Sequence, residues 1–291
     1  YPQEALAASK EGMQLWLNVL LPVLLPFLIL TGILIHTNMA GKLLQPVEVI
    51  WNKVLGVSAA GAYAVIVGAL CGYPVGAKIT SDLYENHQIS ESEAKYLLTF
   101  TNHASPVFVR TYLCHICLKD QIPARTVFGI FALSDLTIML LFRFVVYRNK
   151  IQFLSADKKK KTPVSSSSGA FLDVSIMNGF ETITRLGGYI LMFSILSACI
   201  SRWYIPHSVP GYLLTGILEL TTGLYRLQLL VLPDITKGML AVFLTACGGI
   251  CITAQTRSLV TKELSVKFYI VAKLLNGVIA VALFLFVTKI V

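Results

Sequence analysis

Between Leu15 and Ile35 the chain carries no ionisable side chain. A run of about 20 such residues is long enough to cross a bilayer as a helix. In lipid every backbone N–H and C=O must be bonded inside the protein, so such a run commits the chain to helices or a closed barrel. Apolar runs recur at Thr126 to Tyr147, Leu186 to Ser201, Gly238 to Thr256 and Leu274 to Thr288. The composition agrees, with 55% hydrophobic and 13% charged residues and a mean hydropathy of +0.71. Average soluble domains carry about 25% charged residues. The expectation is an all-α polytopic membrane protein. The net charge of +9 gathers in a few loops, as on the cytoplasmic side of anionic membranes. Nucleic-acid binding needs a basic, aromatic-studded soluble face, and the sequence has none. The chain opens on Tyr1 rather than Met, so a native start, and with it a signal anchor or first span, is expected ahead of it.

The first run contains Pro22 and Pro26 and reads as a kinked span. Residues 2–14 before it read as an interfacial helix, and 40–53 as a loop or short surface helix. The next apolar run, Val54 to Val67, fails at Gly68 to Thr80. Gly72 and Gly76 favour no single conformation. Pro74 lacks an N–H and pushes Tyr73 out of the helical region. A break of this kind is tolerated in a membrane only where it lines a protein-enclosed or wet cavity. A new helix is expected near Gly76 to Lys78, with its free N–H groups and the Lys78 charge turned into that cavity. That combination suits a small anion or polar solute. The bland alternative is a re-entrant turn whose lysine snorkels to the headgroups.

Ser90 with Glu93 three residues on is a helix-start pattern. That helix meets Thr101-Asn102-His103-Ala104-Ser105-Pro106, a polar stretch inside an apolar run, with Arg110 after it. Residues 148–170 hold Lys158 to Lys161, then Ser165 to Ser168. They read as a solvated, basic, cytoplasmic linker. After it the pattern recurs: a span, a short apolar segment broken at Glu219-Leu220-Thr221-Thr222-Gly223, a span broken at Gly248-Gly249 and ending Gln255-Thr256-Arg257, and a last span. Each half reads span, re-entrant segment, interrupted span, span. If the second element does not cross, each half crosses three times and the two are inverted, a transporter architecture. The division is 1–147, 148–170 and 171–291.

The six cysteines include Cys114 and Cys117 in C-x-x-C spacing, but no second pair completes a zinc set. No metal is expected. Nor is enzymatic activity: Ser105 and His103 are too close in sequence for a nucleophile and its base, and no H-E-x-x-H occurs. Glu219 is an intramembrane carboxylate and functional by default. It could pair with Lys78 or Arg226, bind a coupling cation or carry a proton; otherwise it is an ion pair holding the halves together. Asp135 has a weaker case, near a span end.

The segment Cys71-Gly72-Tyr73-Pro74-Val75-Gly76-Ala77-Lys78 resembles the G-x-P-x-G-A-K signature of the sporulation integral membrane protein YlbJ family. Thr99 to Phe108 resembles its F-T-N-x-x-x-P-x-F motif, Leu218 to Gly223 its L-E-x-T-x-G, and Gly248-Gly249 with Ala254-Gln255 its G-G-x-x-x-x-A-Q. The opening, Tyr1-Pro2 and Leu20 to Phe27, fits as well. The resemblance covers nearly the whole chain. His103, Ala104 and Arg110 depart from the family pattern. The resemblance implies membership of the nucleoside-recognition (Gate) group and a core similar to that of concentrative nucleoside transporters. It also implies work at the outer forespore membrane of an endospore former, and a task of moving dipicolinate.

Dipicolinate is a flat dianion. The expected site takes its charges to Lys78, Arg110 and the N–H groups after Gly76, with Gly72, Tyr73 and Pro74 shaping the break. Thr101, Asn102, His103 and Ser105 supply hydrogen bonds. Glu219, Thr221, Thr222, Gln255 and Thr256 form the opposing wall. No cofactor is expected beyond a coupling Na+ or H+, and a homo-oligomeric state is left open. The alternatives are a nucleoside or nucleobase transporter of the same architecture and a non-transporting assembly factor of the spore envelope.

Overall fold

A computed structural model of the chain describes residues 2–148, 151, 170–203 and 209–290. The described residues are helical, without strands, as burial in lipid demands. Five helices are long and apolar enough to cross a membrane. The protein is an integral, multi-pass membrane protein.

Helix α1 runs from Pro2 to His36 without interruption. The expected interfacial helix is therefore the first half of the first span. Pro22 and Pro26 do not break it: residues Trp16–Leu20 wind as a π-helix just before Pro22, and this wider turn accommodates the missing N–H. Residues 39–55 are helical rather than loop, as α2 (Met39–Leu44) and α3 (Glu48–Leu55). Val54 is not the start of the next membrane helix. Gly56 turns left-handed at φ +68°, and α4 (Ala59–Cys71) begins after Ser58, bent 79° from α2–α3. Ser58 caps α4 by accepting from Gly61 N at 3.1 Å.

Helix α5 (Val75–Glu85) follows the break. Gly68 and Gly76 would lie about 12 Å apart in a straight helix, eight residues at 1.5 Å each. A Cβ built on Gly68 instead falls 3.2 Å from Gly76 Cα, so α4 and α5 fold back as a hairpin. Then come α6 (Glu91–Leu98), a non-helical stretch from Thr101 to Ser105, and α7 (106–117), most of it π-wound. Ser90 caps α6 as expected, accepting from Glu93 N at 3.1 Å. Helix α8 (Ala124–Val146) ends the first half. The linker 148–170 lies outside the described residues except at its ends and Ile151.

Helix α9 (Ala170–Trp203) begins 16 residues before the apolar run suggested. Its charged first half continues the same helix, and it packs antiparallel along α1. Gly12 meets Ser194, Trp16 meets Gly187, Ile29 meets Gly179 and Gly32 meets Ser175. Small residues let the two backbones approach closely. A second hairpin follows, α10 (Val209–Leu218) and α11 (Leu220–Leu229), hinged at Glu219. A Cβ on Gly223 would lie 2.8 Å from Gly216 N and closer still to its Cα. Helices α12 (Asp234–Cys247) and α13 (Gly249–Leu259) form one span with a left-handed break at Gly248 and Gly249. Helix α14 (Lys267–Ile290) closes the chain. It packs antiparallel to α8, with Asp135 against Asn276 and Phe142 against Phe268.

Candidate functional site

Both hairpin tips are closed by the chain itself. At the first, Gly72 is left-handed at φ +77°, and any Cβ there would crowd the Ser105 backbone within 2.9 Å. The Tyr73–Pro74 bond is cis, and Pro74 is buried. Tyr73 N donates to His103 O at 2.6 Å, Val75 N to Gly72 O at 3.0 Å, and Gly76 N to the same carbonyl at 3.4 Å. The Val75 and Gly76 N–H groups at the start of α5 are thus occupied, where they were expected to point into a cavity. Gly76 and Gly68 instead cradle the Thr101 carbonyl, which a Cβ on either would strike. Thr101 spends its own hydroxyl on Leu97 O, 2.9 Å.

At the second tip Glu219 is the N-cap of α11. Its carboxylate accepts from Thr221 N (3.0 Å), Thr222 N (2.6 Å) and the Thr221 hydroxyl (2.7 Å). It therefore pairs with neither Lys78 nor Arg226. An anion at a helix N-terminus is stabilised by the free N–H groups and the dipole. Leu220, next to Glu219, lies in the same apolar cluster against which Tyr73 and Tyr112 pack, so the first tip and the start of α11 share one core. Tyr73 meets Phe108 edge-on at 6.0 Å, and Phe108 stacks on Tyr112 at 5.0 Å. These rings form an aromatic wall beside the Tyr73 hydroxyl, which is buried without a partner among the described residues.

The non-helical stretch after α6 and the broken span α12–α13 meet on α14. Asn102 Nδ2 donates to Thr256 Oγ1 at 2.9 Å and to the Tyr269 hydroxyl at 3.1 Å. All three are buried, and Asn102 Oδ1 has no partner among the described residues. Gln255 donates to Cys251 Sγ at 3.3 Å. One turn along α14, Lys273 is 4% exposed, and its ammonium reaches Ala246 O at 3.4 Å. That carbonyl is among those left free where α12 stops at Gly248, and a cation there meets the negative end of the helix dipole. A turn further, Asn276 donates to Asp135 Oδ1 at 2.8 Å. The other Asp135 oxygen faces His103 Nδ1 at 4.0 Å.

Among the expected residues, then, Tyr73, Asn102, His103, Glu219, Gln255 and Thr256 converge, with Thr221 and Thr222 holding Glu219. Ser105 caps α7 by accepting from Phe108 N at 3.2 Å. Lys78 and Arg110 do not join them. Lys78 pairs with Asp82 in a polar cavity of about 340 Å³ that also holds Glu85, Arg185 and Lys262. Arg110 is exposed and pairs with Asp120 in the loop after α7. His115 and Arg110 together hold the Asp120 carboxyl below its ordinary range.

Tyr269, Lys273 and Asn276 are functional candidates that sequence reasoning missed. It started the last span after Lys273, taking the charge as a flank. The signal was present: polar residues at i, i+4 and i+7 share one face of a helix, and this face is buried against both breaks.

The sporulation integral membrane protein YlbJ of Bacillus subtilis (strain 168) is 26% identical over an alignment of 318 positions, covering 96% of this chain and 76% of the relative. This likeness supports a YlbJ-like family. No protein-family model matches the chain, and no solved structure matches it.

Proposed function

We propose that the protein is a secondary transporter for a small organic anion, with dipicolinate in endospore formation the leading substrate and the outer forespore membrane its place. One observation carries the reading: a single buried ammonium, Lys273, stands where two broken crossings meet, among neutral hydrogen-bonding groups. A buried ionisable group in a membrane is costly and marks substrate or ion pathways. Broken helices at mid-membrane are where transporters bind their solutes. The aromatic wall of Tyr73, Phe108 and Tyr112 suits a flat ring. The polar cavity reaches Ser258, two residues beyond Thr256.

An inverted repeat underlies the reading. Its support is the pairing of corresponding elements: α1 lies antiparallel to α9 and α8 antiparallel to α14. Each half also has a glycine-closed hairpin, and the backbone of a broken crossing touches it. Thr101 O lies on Gly68 and Gly76, and Gly249 lies on Gly216 O and Ile217 O. Inversion with hairpins entering from opposite faces is the architecture ascribed to the Gate group and to concentrative nucleoside transporters. No part of this reading calls for an enzyme or a resident cofactor.

The neutral donors Asn102, Gln255 and Tyr269 favour a second reading, a nucleoside substrate. Calorimetry on the purified protein separates the two. Dipicolinate binding that is lost in Lys273→Met and kept in Lys78→Ala is the expected result. Binding of nucleosides alone, unaffected by Lys273→Met, would move the assignment to the second reading. Binding of neither by a folded protein would overturn both and leave an assembly factor.

A further inference from the structure

The two carboxylates of the buried site are held in opposite ways. Every oxygen of Glu219 is saturated by donors of its own helix start: two backbone N–H groups and a hydroxyl. Asp135 has one short hydrogen bond, from Asn276, and its second oxygen is 4.0 Å from the nearest polar group of His103. Its side chain is partly exposed.

Asn276 fits a carboxyl that changes state. Its Nδ2 donates to Asp135, while its Oδ1 is buried without a partner among the described residues. A primary amide can donate to a carboxylate, and after a turn of the amide it can accept from a carboxylic acid. Lys273 stands one turn from Asn276, the donor to Asp135, on the same face of α14. While Asp135 is ionised, the two charges offset one another. Once Asp135 carries a proton, the Lys273 ammonium is left as an uncompensated cation beside the crossing breaks.

The remaining titratable groups around α8 do not compete. On α7, Arg110 and His115 turn to Asp120 at the surface, and Cys114 and Cys117 lie in the apolar core. Tyr96 of α6 bonds the Leu55 and Met139 carbonyls. On α12, Cys247 faces the Lys273 carbonyl. Arg143, near the end of α8, bonds the Val54 carbonyl.

We propose that Asp135 is a proton-binding site, presented by Asn276 and facing His103, whose protonation unmasks Lys273 for the substrate anion, so that proton and anion bind together. The proposal rests on the transport reading for its ligand but not for its proton. By linkage, whatever makes the anion bind tighter when Asp135 is protonated makes the proton bind tighter when the anion is present. One linked proton changes affinity by about tenfold per pH unit.

The test has two arms. In the first, dipicolinate binding to the purified protein is measured by calorimetry across pH, in buffers of different ionisation enthalpy. Wild-type protein should take up about one proton per anion bound and bind tighter as pH falls. Asp135→Asn should bind tightly at every pH without proton uptake. Equal uptake in both, or anion binding by the wild type with none, overturns the proposal. In the second arm, without ligand, infrared titration follows the carboxylic-acid C=O band. A band that titrates in the wild type, shifts its midpoint in Asn276→Leu and is missing in Asp135→Asn is expected. The same band persisting in Asp135→Asn, or none in the wild type, overturns it. A wild type that binds no dipicolinate breaks the transport reading for that anion only, and the infrared arm then decides the proton site by itself.

Discussion

The two hairpins reach the same shape by different chemistry. In each, one glycine rests on another: Gly68 against Gly76 and Gly216 against Gly223. At the first tip the backbone closes the turn, with Tyr73 N on His103 O and Val75 N on Gly72 O. At the second a side chain does it, with the Glu219 carboxylate filling the start of α11. The lesson is that a hairpin start inside a membrane must satisfy its N–H groups, but not by any particular residue. Where the backbone does so, the tip side chain is released. Tyr73 accordingly has a hydroxyl to offer, whereas Glu219 is fully engaged.

The strongest way to break the comparison is to fill the glycine contacts. Gly76→Val and Gly223→Val each drive side-chain atoms into a neighbouring backbone, Thr101 O in one case and Gly216 in the other. Backbone cannot yield as a side-chain tip can, so each should lose about 3 kcal/mol, the upper end of the usual overpacking cost. Monodisperse yield and thermal unfolding in detergent check it. Collapse of only one variant would mean the hairpins are not equivalent. Gly129→Ala, with nothing within 4 Å of the new Cβ, is the control and should not lose stability.

A change at the tips sharpens it. Glu219→Ala strands the Thr221 and Thr222 N–H groups and should destabilise by about 1–3 kcal/mol. Tyr73→Phe removes only a hydroxyl without a partner, and should stay within about 1 kcal/mol of wild type. Equal losses from the two, by thermal unfolding, would refute the division of labour between backbone and side chain.

The smallest effect lies where the first hairpin touches the far end of α13. Tyr84 donates to Glu263 at 2.8 Å, and this hydrogen bond, with a smaller contribution from burial, pushes the Tyr84 hydroxyl up to about 12. A raised value means the folded protein favours the protonated phenol. The contribution is therefore full below about 10, the ordinary tyrosine value, and fades as pH climbs through about 12. Tyr84→Phe should remove that slope of unfolding temperature between those pH values, with its full loss at neutral pH, a small one since the pair is exposed.

Much of this was legible in the chain. The Ser90 cap, the fold-back near Gly72 and the hinge at Glu219 follow from residue types with strong local preferences. Helix starts were less so. Asp173, Glu181 and Arg185 pushed the expected start of α9 too late, and Lys273 did the same for α14. A charge inside a helix looks like a flank until its partners are known: Arg185 bonds Glu181 one turn back and Ser258 O far along the chain, and Lys273 bonds the distant Ala246 O. Lys78 was expected to face a cavity as a free charge, although Asp82 lies one turn away to hold it. The expectation for Glu219 identified the right residue and missed its nearest neighbours, the N–H groups of Thr221 and Thr222.

The pairing of α1 with α9 has a consequence for how the protein is made. Trp16 Nε1 bonds Ile183 O across 167 residues of sequence. At a synthesis rate of about 5–20 residues per second, the first helix waits roughly 10–30 s for that partner to leave the ribosome. During that time the small-residue face of α1, with Gly12 and Gly32, stands open to lipid and to the insertion machinery. Assembly of the scaffold is therefore a late event, and a chain released after its first half would have its longest helix still unmatched.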